Sequence, residues 1–297
     1  MKLYQTIIKR MPIQKGWSGE QKFRAVTTEG HVYLLRISSF DKFERKQREF
    51  SQMVRFAQLH IPMCLPIEIG TCAEGVYSLQ SFIEGEDAEE YIPTLPLQKQ
   101  YAYGYDAGQI LAQIHTLSAP DGVPDWESRF NAKIDRKIAK YRDCPLKYDV
   151  DQPFMDYIAA NRHLLADRPQ SYQHGDYHIG NMMVDKSGQL VIIDFDRDDY
   201  GDPWEEFNRI VWCAQATPHF ASGMVDGYFG GNVPMEFWRL LALYIASNTL
   251  SSLPWAIPFG EREITTMKNQ AAEVLAWYDQ MNNPIPTWYQ KESLNEQ

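Results

Sequence analysis

The hydrophobic pattern of the chain changes period near Gly85, and this change limits the folds that the chain can adopt. Before Gly85, short runs of β-branched and aromatic residues alternate with turn signals, which predicts strands, and one amphipathic segment predicts a helix. After it, most apolar residues recur at helical spacing. Strands and helices that are grouped in separate parts of a chain are typical of an α+β protein. We therefore predict two domains, residues 1–85 and residues 86–297.

The first part contains a predicted hairpin and one predicted helix. The runs "KFRAVTT" and "HVYLLRI" flank a turn at Glu29-Gly30, which predicts two antiparallel strands. In "DKFERKQREFSQMVRFAQLH" the apolar residues lie on one face of a helix. The runs "LPIEIGTC" and "GVYSLQSFI" predict two more strands. The first domain should therefore be a small sheet with a single helix.

The second part is predicted to be helical, with one exception. Four segments have helical periodicity: "LQKQYAYGYDAGQILAQIHTL", "PWEEFNRIVWCAQA", "PMEFWRLLALYIASNTL" and "REITTMKNQAAEVLAWYDQM". The exception is "NMMVDKSGQLVIIDFD", where two short apolar runs flank a Lys-Ser-Gly turn and predict a hairpin.

Composition predicts a folded, water-soluble protein. The 297 residues are 44% hydrophobic and 13% aromatic, which is enough for a substantial core. No run of 18 apolar residues and no signal peptide pattern are found, so we expect no membrane association and a cytoplasmic location. The four cysteines form no C-x-x-C pair, so neither a zinc ribbon nor a dense disulfide framework is predicted.

The net charge of −10 is distributed unevenly along the chain. Residues 1–85 hold 12 Lys and Arg and 8 Asp and Glu, whereas residues 86–297 hold 17 and 31. Such an asymmetry suits a polyanionic cofactor in the first part and a cationic ligand in the second, or it serves only to keep the surface soluble. A nucleic acid partner for the whole chain is not expected.

Two polar clusters, "QHGDYHIGN" and "IIDFDRDD", flank the predicted hairpin of the second part. The hairpin should bring Asp176 and Asn181 close to Asp194. Phosphoryl transfer needs a carboxylate that orients or deprotonates the attacking hydroxyl, and oxygen ligands for Mg²⁺ on the nucleotide phosphates. The Asp-to-Asn spacing matches that of a kinase catalytic loop. We predict Asp176 as the catalytic base, and Asn181 and Asp194 as Mg²⁺ ligands.

A metal-dependent hydrolase is an alternative for the same residues. His174, Asp176 and His178 form an H-x-D-x-H pattern that can bind zinc. The neighbouring glycines favour a loop over a regular strand, however, and a zinc site gives Asn181 and Asp194 no defined role.

The motifs "HGDYHIGN" and "IDFD" resemble those of the aminoglycoside phosphotransferase family, which also includes choline, homoserine and macrolide kinases. The resemblance implies a protein-kinase-like two-lobed fold. Residues 1–85 would be a small β-rich nucleotide-binding lobe, and residues 86–297 a larger, mostly helical lobe for catalysis and substrate binding. It further implies ATP or GTP as phosphate donor and loop-shaping roles for His174 and His178.

The resemblance also identifies candidate phosphate-binding residues in the first part. Gly16, Ser18 and Gly19 precede a predicted strand and match a loop that covers the phosphates. The family's phosphate-binding lysine falls at Arg36, which keeps the charge but presents a planar guanidinium.

Arg36 is expected to pair with a carboxylate on the following helix. Glu49 fits best, and Glu44 is the alternative. The next strand should supply the segment that binds the nucleotide base, near Gln80 and Phe82. Because Arg36 departs from the family pattern, a pseudokinase that binds nucleotides or metabolites remains an alternative function.

The acceptor is predicted to be a small molecule with a hydroxyl group. Gly175 replaces the arginine that receives a phosphorylated activation loop in protein kinases, and only a short segment separates Asp194 from the next predicted helix. A protein substrate is therefore not expected. Carboxylates near aromatic residues suit a cationic, aminoglycoside-like acceptor, and we predict Asp198, Glu205 and Glu206 as its ligands.

Overall fold

The computed structural model of the chain describes residues 2–14, 19–195, 197 and 199–290. Ten strands are assigned in these residues: β1 (Ile7–Ile13), β2 (Gln21–Thr27), β3 (Val32–Ser38), β4 (Pro66–Cys72), β5 (Gly75–Ser81), β6 (Gly85–Asp87), β7 (Ser171–Gln173), β8 (Met182–Asp185), β9 (Leu190–Ile192) and β10 (Asp199–Gly201).

Nine α-helices are assigned in the same described residues, with short 3-10 turns between several of them. They are α1 (Phe43–Ala57), α2 (Ala88–Tyr91), α3 (Leu97–Ile114), α4 (Trp126–Asp143), α5 (Gln152–Asn161), α6 (Ile210–Ala216), α7 (Pro218–Phe229), α8 (Met235–Ala256) and α9 (Glu261–Trp277).

The chain divides into two compact units. The first unit is Met1–Tyr91 with Gly180–Asp198, and the second is Ile92–Ile179 with Asp199–Gln297. The sequence-based domains were residues 1–85 and 86–297, which placed the later hairpin in the second domain. Their assignment as nucleotide-binding and catalytic lobes stays a prediction.

The first unit is built on a five-stranded antiparallel sheet. Its strand order is β1-β2-β3-β5-β4, so the predicted hairpin of β2 and β3 is confirmed. The predicted helix is α1, whose buried face includes Met53 and Phe56. Strand β1 was not predicted, because its sequence "IIKRMPI" lacks a clear alternation and contains a proline. The sheet and α1 together form the predicted small β-rich region.

The hairpin of β8 and β9 is confirmed and belongs to the first unit. Met182 pairs with Ile192, and β6 adds a third antiparallel strand. At the open end of the hairpin, the backbone N–H of Ile193 donates to the carbonyl oxygen of Asn181 at 3.0 Å. This contact holds the segment of Asn181 beside that of Asp194, as predicted.

The second unit is mostly helical, and its helices α3 and α7 pack unusually closely. A Cβ atom added at Gly104 or Gly108 of α3 would lie 2.0–2.1 Å from a backbone oxygen of α7. Gly223 and Gly227 of α7 approach α3 in the same way. These glycines therefore permit a backbone-to-backbone approach that any side chain would prevent.

Several helices of the second unit match the prediction and others do not. The predicted helices at α3, α8 and α9 are confirmed. The predicted helix "PWEEFNRIVWCAQA" begins instead as a 3-10 turn (Glu205–Arg209) that continues into α6. Helices α4, α5 and α7 were not predicted. In α4 the buried Trp126, Phe130 and Ile134 do recur every four residues, but many charged residues mask this pattern.

One apolar helical segment in the described residues, Met235–Phe259, has the length and composition of a membrane span. It contains α8, and 67% of its most apolar window is buried inside the protein. Such burial is typical of a core helix, since its apolar surface is already covered by neighbouring side chains.

Candidate active site

The loop that contains Asp176 follows β7 in the second unit. Gly175 has a φ of 85°, a conformation that favours glycine because it has no Cβ. The side chain of His174 is fully buried, and its Nδ1 accepts from the backbone N–H of Asp176 at 3.3 Å. Tyr177 is also fully buried and donates to the carbonyl oxygen of Ala107 at 2.7 Å. The loop is therefore fixed on both sides of Asp176.

The buried carboxylate of Glu206 accepts hydrogen bonds from the backbone of this loop. One of its carboxylate oxygens, Oε2, accepts from the backbone N–H of His174 at 2.9 Å, and Oε1 accepts from that of Gly175. Oε2 also lies 3.0 Å from Nε2 of His115. Because Glu206 is only 3% exposed, its charge depends on these donors for stabilisation.

Asp176 is half-buried and faces two potential cations of the second unit. Its Oδ1 lies 3.2 Å from Nε of Arg209 and 3.9 Å from Nε2 of His178. The Arg209 guanidinium compensates the carboxylate charge and restricts its orientation. A carboxylate held in this way suits the orientation of an acceptor hydroxyl.

Asn181 and Asp194 lie together at the open end of the β8–β9 hairpin, in the first unit. Asp194 has a φ of 66°, which is uncommon for a residue other than glycine. Such a conformation persists only where the surrounding structure enforces it, and it often occurs at functional sites. An amide oxygen and a carboxylate are hard oxygen donors of the type that Mg²⁺ prefers.

Arg36 on β3 is buried, but its ion pairs differ from the prediction. Its Nε donates to Oε2 of Glu20 at 2.7 Å, and its Nη1 donates to Oδ1 of Asp194 at 2.6 Å. Glu49, the predicted partner, instead accepts from Arg45 and Lys46. The alternative partner, Glu44, is exposed.

Glu20 and Lys46 link Arg36 to Glu49 indirectly. Lys46 forms ion pairs with both Glu20 and Glu49, and Ser38 donates to Glu20 at 2.6 Å. Burial alone raises the pKa of Glu20, but the charges of Arg36 and Lys46 outweigh it and lower the pKa to about 2. The four side chains Arg36, Glu20, Lys46 and Glu49 thus form one alternating charge network.

Three predicted nucleotide-binding residues, Arg36, Glu49 and Gln80, line one small cavity in the first unit. Its volume of about 20 Å³ is sufficient for a water molecule. Gln80 is 4% exposed, and its Oε1 has no hydrogen-bond partner among the described residues. Phe82 lies outside this cavity lining, and its ring contacts the guanidinium of Arg24.

Not every predicted site residue is described by the structure. Gly16, Ser18 and Asp198 lie outside the described residues. Gly19 is described and has a φ of 60°. It directly precedes Glu20, so the predicted phosphate loop ends at the charge network around Arg36.

Glu205 and Glu206, which were predicted to bind the acceptor, are internal residues. Glu205 is 8% exposed and forms an ion pair with Lys133, with Oε1 and Nζ 3.0 Å apart. Glu206 binds the backbone of the Asp176 loop. Both carboxylates are buried and paired within the protein, and their role in acceptor binding stays a prediction.

The zinc-hydrolase alternative has little support in this geometry. No group of three or more His, Cys, Asp and Glu side chains is arranged to hold a metal ion in the part of the chain that the structure describes. His174 is buried and bonded to the loop backbone, which fits the predicted loop-shaping role. Asn181 and Asp194 instead offer the oxygen donors that suit Mg²⁺.

Comparison with known proteins identifies the family of the chain. The family model described as "Phosphotransferase enzyme family" (APH) matches residues 9–241. The chain therefore belongs to the phosphotransferase enzyme family. Comparison with curated protein sequences gives no match.

Solved structures with the same kinase-like fold include the following three. A thermostable mutant of aminoglycoside phosphotransferase APH(4)-Ia, in a ternary complex with ADP and hygromycin B, is 16% identical; the alignment covers 92% of this chain and 95% of that chain, with a TM-score of 0.67. A putative fructosamine-3-kinase from Haemophilus somnus is 14% identical, with 91% and 92% covered and a TM-score of 0.64. A macrolide 2'-phosphotransferase from Brachybacterium faecium is 14% identical, with 88% and 91% covered and a TM-score of 0.58.

The sequence analysis missed Glu20, Lys46 and Arg209. Glu20 directly follows the predicted phosphate loop, which was a usable signal for a partner of Arg36. Lys46 lies three residues before Glu49 on α1, a spacing that permits contact on one helix face. No sequence signal connects Arg209 with Asp176, because 33 positions separate them in the chain.

The charge network around Glu20 predicts a specific loss of stability in acid. A carboxyl group whose pKa is lower in the folded than in the unfolded state stabilises the fold above its unfolded pKa. This contribution, about 3 kcal/mol for such a shift, should disappear as the pH falls from 4.5 towards 2. Urea unfolding of Glu20→Gln should therefore show a deficit against the wild type at neutral pH that shrinks in this pH range.

Glu44→Gln is the matched control, because Glu44 is exposed on α1. It should leave the free energy of unfolding nearly unchanged at every pH. A constant deficit for Glu20→Gln across the acid range would contradict the ionised, paired state of Glu20.

Proposed function

We propose that the protein is a small-molecule kinase that transfers the γ-phosphate of ATP or GTP to a hydroxyl of a small acceptor. The family shares phosphate transfer to hydroxyl groups, and the observation that carries the proposal for this chain is the restrained Asp176 loop. Glu206 fixes the backbone of that loop, and Arg209 fixes the carboxylate. A residue positioned so firmly by buried contacts is suited to hold a reacting group in place.

In this proposal Asp176 accepts the proton of the acceptor hydroxyl and orients its oxygen toward the γ-phosphorus. The hydroxyl oxygen forms the new P–O bond, the bond between the γ-phosphorus and the bridging oxygen breaks, and the nucleoside diphosphate leaves. Arg36 and Lys46 are the cations of the first unit that would bind the nucleotide phosphates. Gly16, Ser18 and Gly19 would cover the phosphates, and Gln80 and Phe82 would contact the base.

Mg²⁺ fits the donor set of Asn181 and Asp194, which would hold it. When bound, it neutralises charge on the nucleotide phosphates. The pairing of Asp194 with Arg36 has a consequence for this role. If Asp194 held Mg²⁺, one donor of Arg36 would become available for a phosphate.

The acceptor screen tests this proposal. Purified protein is incubated with Mg·ATP or Mg·GTP and a panel of hydroxyl compounds, including aminoglycosides, and the products are analysed by mass spectrometry. A gain of one phosphate on one compound supports the kinase. Nucleotide binding without any phosphorylated product would favour the pseudokinase, for which the internal pairing of Arg36 is the supporting observation.

Cytoplasmic residence and the absence of nucleic acid, membrane and protein substrates belong to the same proposal. The charged side chains of the second unit give further information about the chemical class of the acceptor.

A further inference from the structure

We infer that the acceptor carries an anionic group, a carboxylate or a phosphate, which binds to Lys133, Lys137 and Arg209 beside Asp176. The inference rests on the proposed function, because it concerns the second substrate of the same site. It differs from the cationic acceptor that the net charge of residues 86–297 had suggested. All four residues belong to the second unit.

The three cations converge from two neighbouring elements. Lys133 and Lys137 are four residues apart on α4, so they lie on one face of that helix. Glu205 and Arg209 are the two ends of the 3-10 turn before α6. The ion pair between Lys133 and Glu205, at 3.0 Å, joins α4 to this turn.

Lys137 is the cation of this group that lacks a partner. It is half-buried, and within the described residues its ammonium group makes no hydrogen bond or ion pair. Burial, together with the neighbouring charges of Lys133 and Arg209, lowers the pKa of Lys137 to about 7 against the opposing effect of Glu205. A cation removed from water without a counter-ion is destabilising, and an anionic ligand relieves this cost.

The described carboxylates near Lys137 do not form an ion pair with it. Glu205 is buried and already bound to Lys133; although burial raises its pKa, the charges of Lys133, Lys137 and Arg209 lower it overall. Asp199, a second carboxylate near Lys133, is exposed to solvent, so water screens its charge from the two lysines. Within the described residues, Glu205 is thus bound to Lys133 and Asp176 to Arg209, which leaves Lys137 without an ion pair of its own.

Arg209 connects this group with the proposed base. Its Nε lies 3.2 Å from Oδ1 of Asp176. An acceptor whose hydroxyl binds Asp176 would therefore lie beside Arg209, with the two lysines of α4 as the next cations. A polycationic acceptor would be repelled there, and the two glutamates that were expected to attract it, Glu205 and Glu206, are buried and paired.

Binding of four matched probes to the protein tests the inference. The probes share a glycerol skeleton: glycerol phosphate, glycerate, neutral glycerol and cationic aminopropanediol. Their affinities are measured by calorimetry with Mg·ADP present, so that the phosphate-binding residues of the first unit are occupied. We expect binding of glycerol phosphate or glycerate, and the tighter of the two identifies the anionic group.

Lys137→Met should weaken this anion binding about 10-fold or more, since it removes one charge-assisted contact. Lys137→Arg should retain most of it. The matched control is Lys140→Met, because Lys140 is an exposed residue of the same helix. Lys137→Met also removes an unpaired buried charge, so we expect it to fold at least as stably as the wild type.

Three outcomes would overturn the inference: tighter binding of aminopropanediol than of either anion, no binding of either anion, or an equal effect of Lys137→Met and Lys140→Met. The kinase proposal fails separately, through absence of Mg·ADP binding in the same calorimetric experiment. Loss of nucleotide binding with retained, Lys137-dependent anion binding would reject the kinase and keep the anion site.

Discussion

Asp176→Asn is expected to reduce phosphoryl transfer by about 100- to 10,000-fold while the protein still folds and binds nucleotide. The amide cannot accept the hydroxyl proton, but it has nearly the same size and retains one oxygen that can face Arg209. Rates would be measured as phosphorylated acceptor per enzyme, and nucleotide affinity by calorimetry. Both are needed, because a loss of rate alone does not distinguish failed chemistry from failed binding.

The control for this variant is Asp149→Asn, which makes the same chemical change at an exposed position of the second unit. It should leave both rate and affinity unchanged. Full activity of Asp176→Asn would remove Asp176 from the reaction. A parallel loss of nucleotide affinity would instead indicate that the substitution disturbs the binding site.

Glu206→Leu is expected to lower the free energy of unfolding by about 3–5 kcal/mol and to reduce transfer as well. The substitution leaves the backbone N–H groups of His174 and Gly175 without an acceptor in a buried environment. His115 also loses its partner at Nε2. Because the same N–H groups hold the loop of Asp176, the carboxylate should lose its fixed position, and small displacements of a catalytic group are costly.

Glu261→Gln provides the comparison, since Glu261 is an exposed carboxylate at the start of α9. Urea unfolding and transfer rates would be measured for both variants at the same pH. If Glu206→Leu unfolded like Glu261→Gln and kept its rate, Glu206 would not anchor the loop. If Glu206→Leu were as stable as the wild type but transferred phosphate slowly, Glu206 would affect only the geometry of the loop.

Local sequence patterns were sufficient for much of the fold and for the core of the candidate site. Hairpin β8–β9 was predictable because both strands and their turn lie within 16 residues, and its geometry places the segments of Asn181 and Asp194 together. The helical pattern of α1 and the alternation of β2 and β3 are equally local. Family membership was predictable from two short motifs and is confirmed.

The ion pairs of the site were not predictable in the same way. Arg36 was expected to pair with Glu49 because the kinase pattern pairs these two positions. Lys46 lies three residues before Glu49 on α1, however, and forms the ion pair with it. The carboxylate that pairs with Arg36 is instead that of Glu20, which lies 16 residues before it in the chain. Which of several nearby carboxylates pairs with a buried cation depends on tertiary packing, and spacing in the sequence does not specify it.

Net charge does not specify which charged side chains an acceptor would contact. The acidic total of residues 86–297 suggested carboxylates that face a cationic ligand, yet Glu205 and Glu206 are buried and bind Lys133 and the loop backbone. The basic residues of α4 were overlooked because that helix was not predicted. The net charge of these 212 residues combines positions that lie far apart. A ligand interacts mainly with the few charges next to it, because more distant charges are screened.

The most direct measurement of the central claim follows the γ-phosphate itself. ATP or GTP with a heavy-oxygen label in its γ-phosphate is incubated with the protein, Mg²⁺ and the acceptor from the screen. The mass of the acceptor is then measured by mass spectrometry. The account predicts an acceptor that carries one labelled phosphate in the wild type and almost none in Asp176→Asn. An acceptor that stays unmodified with the wild type, or one labelled equally by Asp176→Asn, would contradict it.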